Sequence, residues 1–314
     1  MKTTLSRRDF SKLVAGSPLA AGAAYGADSL PMRALGKTGA RVSILGLGAQ
    51  RLSDRPLSQS AVDRLIAEAI DNGLNYIDTA RGYGTSEELL GPALKGKRDK
   101  VFLVTKTRTA TREDALNELR QSLKNLRTDH VDCVHIHNVA RDDRYPNLEE
   151  ALSERGVLGG LLEAKRLGMA RHVGCTAHLR PSRVLPALAT GHIELFMCSM
   201  NFVERHIYNF EEKVLPEATR RGIGVIAMKV LGGPAQGVTP LLHRPEDYEA
   251  TLRYVWGVPG VSVAIIGMRS LEELRQALAA ARNFKPFTPE ESARLMERGK
   301  LLAREWGPLR GAVA

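Results

Sequence analysis

A chain of 314 residues has room for one large domain or two ordinary ones, and its 43% hydrophobic and 25% charged content is that of a soluble globular protein, which excludes disordered and collagen-like classes. A chain this long buries roughly three quarters of its unfolded surface on folding, so no disulfide or metal is needed to hold a core. The formal charge of +10 raises nucleic acid as a partner, but +3 of it falls in residues 1–26, the other Lys and Arg are scattered among acids, and aromatic residues are only 5%, so nucleic acid is not the expected partner.

The chain opens with Ser6-Arg7-Arg8-Asp9-Phe10-Ser11-Lys12, followed by an uncharged run over 13–24 that is rich in Ala and Gly and interrupted by Pro18. A basic stretch, a weakly apolar stretch and small residues at Ala24 and Gly26 read as an export signal over residues 1–26, removed before the working protein exists. The paired arginines resemble a twin-arginine signal, with Ser11 standing where that pattern favours a large apolar residue. The resemblance implies the twin-arginine export machinery as a partner, a cytoplasmic precursor, and a folded protein delivered to the periplasm. No other segment has the apolar length that a bilayer requires, so no stable membrane anchor is expected. Cys133, Cys175 and Cys198 each sit in a short apolar run rather than a spaced framework, and read as buried core thiols.

Next come two short extended runs around Gly36-Lys37-Thr38-Gly39, which predict a β-hairpin closing the bottom of the fold. From there β-rich runs at 42–47, 74–78, 101–105, 131–136, 171–175, 193–199, 224–228 and 261–266 alternate with helical-period segments such as 60–72, 112–126, 148–167 and 270–282, and a last helix is predicted over 288–306. In the second of these helices Ala115, Leu116, Leu119, Leu123 and Leu126 form one apolar stripe. Eight strand–helix units are the arithmetic of a closed parallel sheet, a (β/α)8 TIM barrel with an N-terminal β-hairpin plug, in one domain over 31–314. The rival doubly wound sheet usually opens with G-x-G-x-x-G, whereas Gly46-Leu47-Gly48-Ala49-Gln50-Arg51 lacks the third glycine.

In such a barrel the working residues sit at the carboxyl ends of strands and in the loops after them, and those positions hold Asp78, Tyr83, Lys106 and His137. The run from Gly73 to Glu87, containing Tyr76-Ile77-Asp78-Thr79-Ala80 and Gly82-Tyr83-Gly84, followed by Leu90-Gly91, resembles the first signature of the aldo-keto reductases. Val104-Thr105-Lys106-Thr107 and Val131-Asp132-Cys133-Val134-His135-Ile136-His137-Asn138 are similar to that family's lysine and histidine strands. The resemblance implies hydride transfer between a nicotinamide cofactor, NADP or NAD, and a small-molecule carbonyl or alcohol. Tyr83 would then be the acid, Lys106 the cation that lowers its pKa, Asp78 the partner that makes a buried ammonium tolerable, and His137 the donor that orients the carbonyl oxygen. Two other classes stay open. His135-Ile136-His137 points two histidines into the barrel, as a metal-dependent hydrolase would, although Lys106 in the same pocket repels a divalent ion and His135 reads as a hydrogen-bonded core histidine. A nucleotide-binding regulatory subunit is the third class, and it has no need of a tuned acid.

The resemblance also implies cofactor contacts at Gly48, Thr176, Asn201, Met228, Lys229, Gly267 and Arg269. The family's Gly-x-Ser-Asn is Gly174-Cys175-Thr176-Ala177 here, Met197 replaces a common glutamine, Met228 and Lys229 replace an aromatic and a serine, and the later Glu and Asn are Gln276 and Ala277. Lys229 and Arg269 are expected on the phosphate side, where they favour the 2′-phosphorylated cofactor. In the loop over 138–147 Arg141 and Arg144, together with Arg171, face either an anion or water. The short tail after Glu305 predicts an open mouth suited to a bulky or sugar-like carbonyl.

Overall fold

The computed structural model describes residues 29–54, 57–233, 241–242 and 244–314. The export signal expected over 1–26 lies outside these residues. Strands β1 (Met32–Ala34) and β2 (Arg41–Ser43) form the antiparallel hairpin, with Arg33 opposite Val42. Its turn uses Gly36 at φ 55° and lies so close to the backbone of Gly224 that any side chain at Gly36 would overlap it. Arg33 donates to the carbonyls of Val261 and Trp256 at 2.8 and 2.7 Å, and Lys37 N donates to Gly222 O at 2.9 Å, tying the hairpin to the strands it closes. Leu35 and Val42 are fully buried and pack with the barrel interior.

Eight parallel strands close the barrel: β3 (Leu45–Gly48), β4 (Tyr76–Asp78), β5 (Phe102–Thr107), β6 (Val131–Ile136), β7 (Ala170–Ala177), β8 (Leu195–Ser199), β9 (Gly224–Met228) and β10 (Val261–Ile266), with β10 returning to β3. The single run expected over 42–47 is in fact divided between two sheets. Ser43 ends the hairpin, while Ile44, whose carbonyl accepts from Ala264 N and Trp256 Nε1, turns the chain into β3.

Helix Arg112–Leu126 matches its predicted bounds, capped by the Thr111 side chain on Asp114 N, and it buries Ala115, Leu119, Leu123 and Leu126 while Leu116 is only partly covered. The segment expected as one helix over 148–167 is two, Leu148–Ala151 and Val157–Arg166. The break is at Gly156, where a Cβ would meet the carbonyl oxygens of Glu150 and Ala151. All three cysteines are free and buried. Among the described residues no helix is long and apolar enough to cross a membrane.

Strand parity divides the apolar residues into two clusters. Tyr76, Phe102, Val104 and Cys133 fill the interior with Leu195, Met197, Ile226 and Val263, while Ile77, Leu103, Val134 and Ile136 pack outward against the helices. The same alternation carries Asp78, Lys106 and His135 inward at the carboxyl ends of their strands.

Candidate active site

Lys106 is 1% exposed, and its ammonium donates to three oxygens: Asp78 Oδ2 at 2.5 Å, Thr79 O at 2.8 Å and Tyr83 Oη at 3.3 Å. These bonds use the full donor capacity of an ammonium. Burial alone would push Lys106 down; Asp78, then Tyr83, reverse this and hold it above the ordinary lysine value, so the side chain stays charged.

Tyr83 lies on the loop between β4 and helix Ser86–Ala93, and hydrogen bonds hold that loop down. Thr79 N donates to Val104 O, Arg81 N to Lys106 O, and Tyr83 N to Ala80 O, while Ser86 Oγ donates to Ala49 O at 2.9 Å. Since Lys106 donates to the phenol oxygen, the phenol's own proton is directed elsewhere. Burial pushes the Tyr83 phenol above its ordinary value and Lys106 works against this; the net direction is up, whereas the sequence reading expected the lysine to bring it down. Desolvation by the same pocket that houses the lysine is the reason.

The His137 ring stands edge-on to Tyr83, with 5.8 Å between centroids. Burial, and then Lys106, hold it well below the usual imidazole range, so the ring is neutral and keeps one N–H donor. Its Nδ1 is buried without a partner. His135 departs from expectation: it is fully buried, but neither ring nitrogen is hydrogen-bonded, and a Cβ at Gly174 would come within 2.6 Å of its ring. It is a packed interior residue one layer below the mouth. Among the described residues no three His, Cys, Asp or Glu side chains are grouped as a metal ion would require.

The other residues expected from the sequence fall into two groups. At the junction of β3 and β10, Gly48 lies against the Ile266 backbone and Gly267 against the Arg51 side chain, leaving bare backbone flanked by Arg51 and Arg269. The amides at this helix start are partly taken, since Glu273 Oε2 accepts from Arg269 N and Ser270 Oγ from Glu273 N. The Arg269 guanidinium has no partner among the described residues. Lys229, at φ 56° after β9, is half-buried, and its ammonium likewise has none; burial, then Arg310, bring it down to about 8. Bare backbone beside two unpaired cations fits the phosphates of a dinucleotide, which Gly48, Lys229, Gly267 and Arg269 would hold.

Toward the other strands, Met228 packs in the interior cluster and Thr176 Oγ1 accepts from Asn138 N at 2.7 Å. Asn201 is saturated: its Oδ1 accepts from Val203 N and Glu204 N, and its Nδ2 donates to Glu204 Oε2 and Lys229 O. Its side chain therefore organises the loop after β8. Sequence reasoning missed Asn138, which sits at φ 67° with Oδ1 buried and unpartnered beside Thr176. An Asn directly after the His137 strand end, a residue type that tolerates positive φ, was the available signal.

The mouth is not as open as a short tail implied. Helix Pro289–Trp306 ends beside Gly232, and the tail then returns over the loops after β7, β8 and β9. Arg310 forms a buried ion pair with Glu204, their side chains 5% and 1% exposed. It also donates to Gly233 O at 3.0 Å, and its own N donates to Tyr208 Oη at 2.7 Å.

A closed parallel barrel with a tyrosine, a lysine, an aspartate and a neutral histidine at the carboxyl ends of consecutive strands is the architecture of a barrel oxidoreductase. The chain belongs to the aldo/keto reductase family, whose profile matches residues 44–237. It is similar to the uncharacterized oxidoreductase YqkF of Bacillus subtilis, 26% identical over 85% of this chain and 96% of that one, and to the L-galactose dehydrogenase of Arabidopsis thaliana, 24% identical over 80% and 88%. A candidate aldo-keto reductase from Pseudomonas aeruginosa has a similar crystal structure, with a TM-score of 0.68 and 30% identity over 81% of this chain and 97% of that one. The protein is thus an NAD(P)-dependent oxidoreductase acting between a carbonyl and an alcohol, and the hydrolase alternative has no support.

Proposed function

We propose that Tyr83 is the general acid of carbonyl reduction, that Lys106 and Asp78 support it, and that His137 orients the substrate. A bound nicotinamide cofactor would supply the hydride, and the substrate oxygen, left as an alkoxide, would have to take a proton. Tyr83 Oη gives that proton, and the phenolate left behind is stabilised by the Lys106 ammonium already 3.3 Å away. Asp78 keeps the ammonium charged when buried. Neutral His137 donates its N–H to the carbonyl oxygen, polarising it before the proton moves. The observation that carries this reading is the single ammonium bonded at once to Asp78, Thr79 and Tyr83.

The finer reading is that Lys229 and Arg269, two cations without acidic partners, favour NADP over NAD. The working protein is an exported, periplasmic one, led by residues 1–26 to the twin-arginine machinery. A sugar-like carbonyl as substrate is supported by the relative named for L-galactose. The test of the catalytic assignment is Tyr83→Phe, which keeps the ring and removes the acid. Turnover falls by at least ~10²-fold while NADPH affinity is retained; wild-type turnover on a verified carbonyl refutes it.

A further inference from the structure

Resting on that catalytic reading, we propose that the substrate carries an oxyanion group, a carboxylate or a phosphate, held at the rim of the mouth by Arg108 and Arg144. Both side chains stand next to the reacting centre. Arg108 follows β5, and its side chain lies across Gly82 so closely that any Cβ there would collide with the guanidinium, which puts this cation against the neighbour of Tyr83. Arg144, in the loop after β6, donates from Nη1 to His137 O at 2.9 Å. The two guanidiniums therefore stand on adjacent loops, one against the Gly82–Tyr83 turn and the other on the backbone of His137.

Neither arginine is matched by an acid. The carboxylates of the 138–147 loop are already used: Asp143 pairs with Arg141, and Asp142 with Arg180. Glu118 approaches Arg108, but its Oε2 accepts from the backbone N at 2.7 Å, and no carboxylate bonds the Arg108 guanidinium among the described residues. Arg171 is removed from consideration because it pairs with Asp132, at the opposite end of the barrel, at 3.2 Å. Burial pushes Arg144 below its ordinary value and Arg108 acts in the same direction, and both arginines help to hold His137 neutral. Two like charges converging on a pocket beside a carbonyl-orienting histidine repel one another until an anion lies between them. Guanidinium forks match the geometry of carboxylate and phosphate alike.

Two matched pairs of probes separate the sources: glyceraldehyde against glyceraldehyde 3-phosphate, and benzaldehyde against 4-carboxybenzaldehyde. With saturating cofactor, kcat/KM favours the charged member of at least one pair by tenfold or more, the pair so favoured identifies the group, and the preference shrinks as salt is raised. Arg108→Gln, a change at an exposed position, lowers the charged-to-uncharged ratio at least tenfold, and Arg144→Gln with it lowers the ratio further. Equal kcat/KM within both pairs overturns the proposal, as does a ratio that Arg108→Gln leaves unchanged. Calorimetric binding of the same probes to Tyr83→Phe keeps this test separate from the catalytic one. A Phe variant that still turns over refutes the acid assignment alone, whereas equal affinity for charged and uncharged probes refutes the anion site alone.

Discussion

Lys229 is a half-buried ammonium facing no carboxylate bond, and burial lowers it from 10.5 to about 8. Between about 8 and 10.5 the unfolded chain holds a proton here that the folded chain has shed, so this residue makes stability rise with pH across that window, its destabilising effect being complete below it. A cofactor phosphate at this ammonium, as proposed above, would reverse the preference by favouring the charged form. NADPH affinity is therefore expected to be level up to about pH 8 and to decline above it, as binding must take up a proton. Lys229→Met removes the alkaline decline and weakens binding, and Arg269→Ala narrows the difference between NADPH and NADH; fluorescence titration of both cofactors from pH 6 to 10 reads both effects. An unchanged profile in Lys229→Met takes that side chain away from the phosphates. At this scale the sequence was informative where parity applies. Asp78 and Lys106 sit where alternation along β4 and β5 puts them, and His137 continues that of β6 by one residue, whereas Tyr83 was legible from its place in the loop after β4 and from the family signature, because a loop has no period. What could not be read was saturation: nothing in the order of residues says that Asn201 spends every donor and acceptor on its own loop and on the Lys229 carbonyl after β9, or that burial outweighs Lys106 at Tyr83.

Among the elements, departures from the expected pattern occur where one segment serves two neighbours. Periodicity continues across 148–167, yet the chain breaks at Gly156 because backbone there must pack against the turn of Glu150 and Ala151. The tail is the larger case, since its last residues have no period and their role comes from one distant pair, Arg310 with Glu204. Burial pushes the Glu204 carboxyl above its ordinary value, with Arg310 the main force holding it back. Arg310→Ala leaves that carboxyl buried without its ion-pair partner, a change that costs about 3–5 kcal/mol in comparable pairs. A carboxyl raised in the folded state takes up protons on folding, so the stability of the variant is expected to fall as pH rises above the ordinary glutamate value. Thermal melts of Arg310→Ala should therefore lie below wild type, and further below at pH 8 than at pH 5. Glu204→Gln in the same chain should remove that pH dependence. A melt equal to wild type at both pH values would mean the tail does not close the mouth in solution.

For the whole molecule, the proposed export signal makes a demand on the barrel: it must be able to fold before transport. The barrel completes its core with three free, buried cysteines and no cross-link, and burial first of all holds all three thiols above their ordinary value, so folding does not wait for an oxidising compartment and the finished core resists oxidation afterwards. Such a chain can fold fully in the cytoplasm, which is what a route carrying folded proteins requires. If residues 1–26 act as the proposed export signal, a receptor would read them on the folded protein, and the candidates for that reading are Arg7 and Arg8. Changing both to Lys preserves the +3 of residues 1–26 but removes two planar guanidiniums, whose fork geometry an ammonium does not reproduce. The Lys-Lys protein is therefore expected to accumulate in the cytoplasm, folded and with the turnover of the wild-type barrel, while the wild type is recovered outside it. Cell fractionation with an activity assay on each fraction measures both halves of this expectation. Undiminished recovery of the Lys-Lys protein outside the cytoplasm would show that positive charge alone, not the arginine pair, directs the chain. Loss of activity in the retained protein would show that the barrel depends on the destination compartment after all.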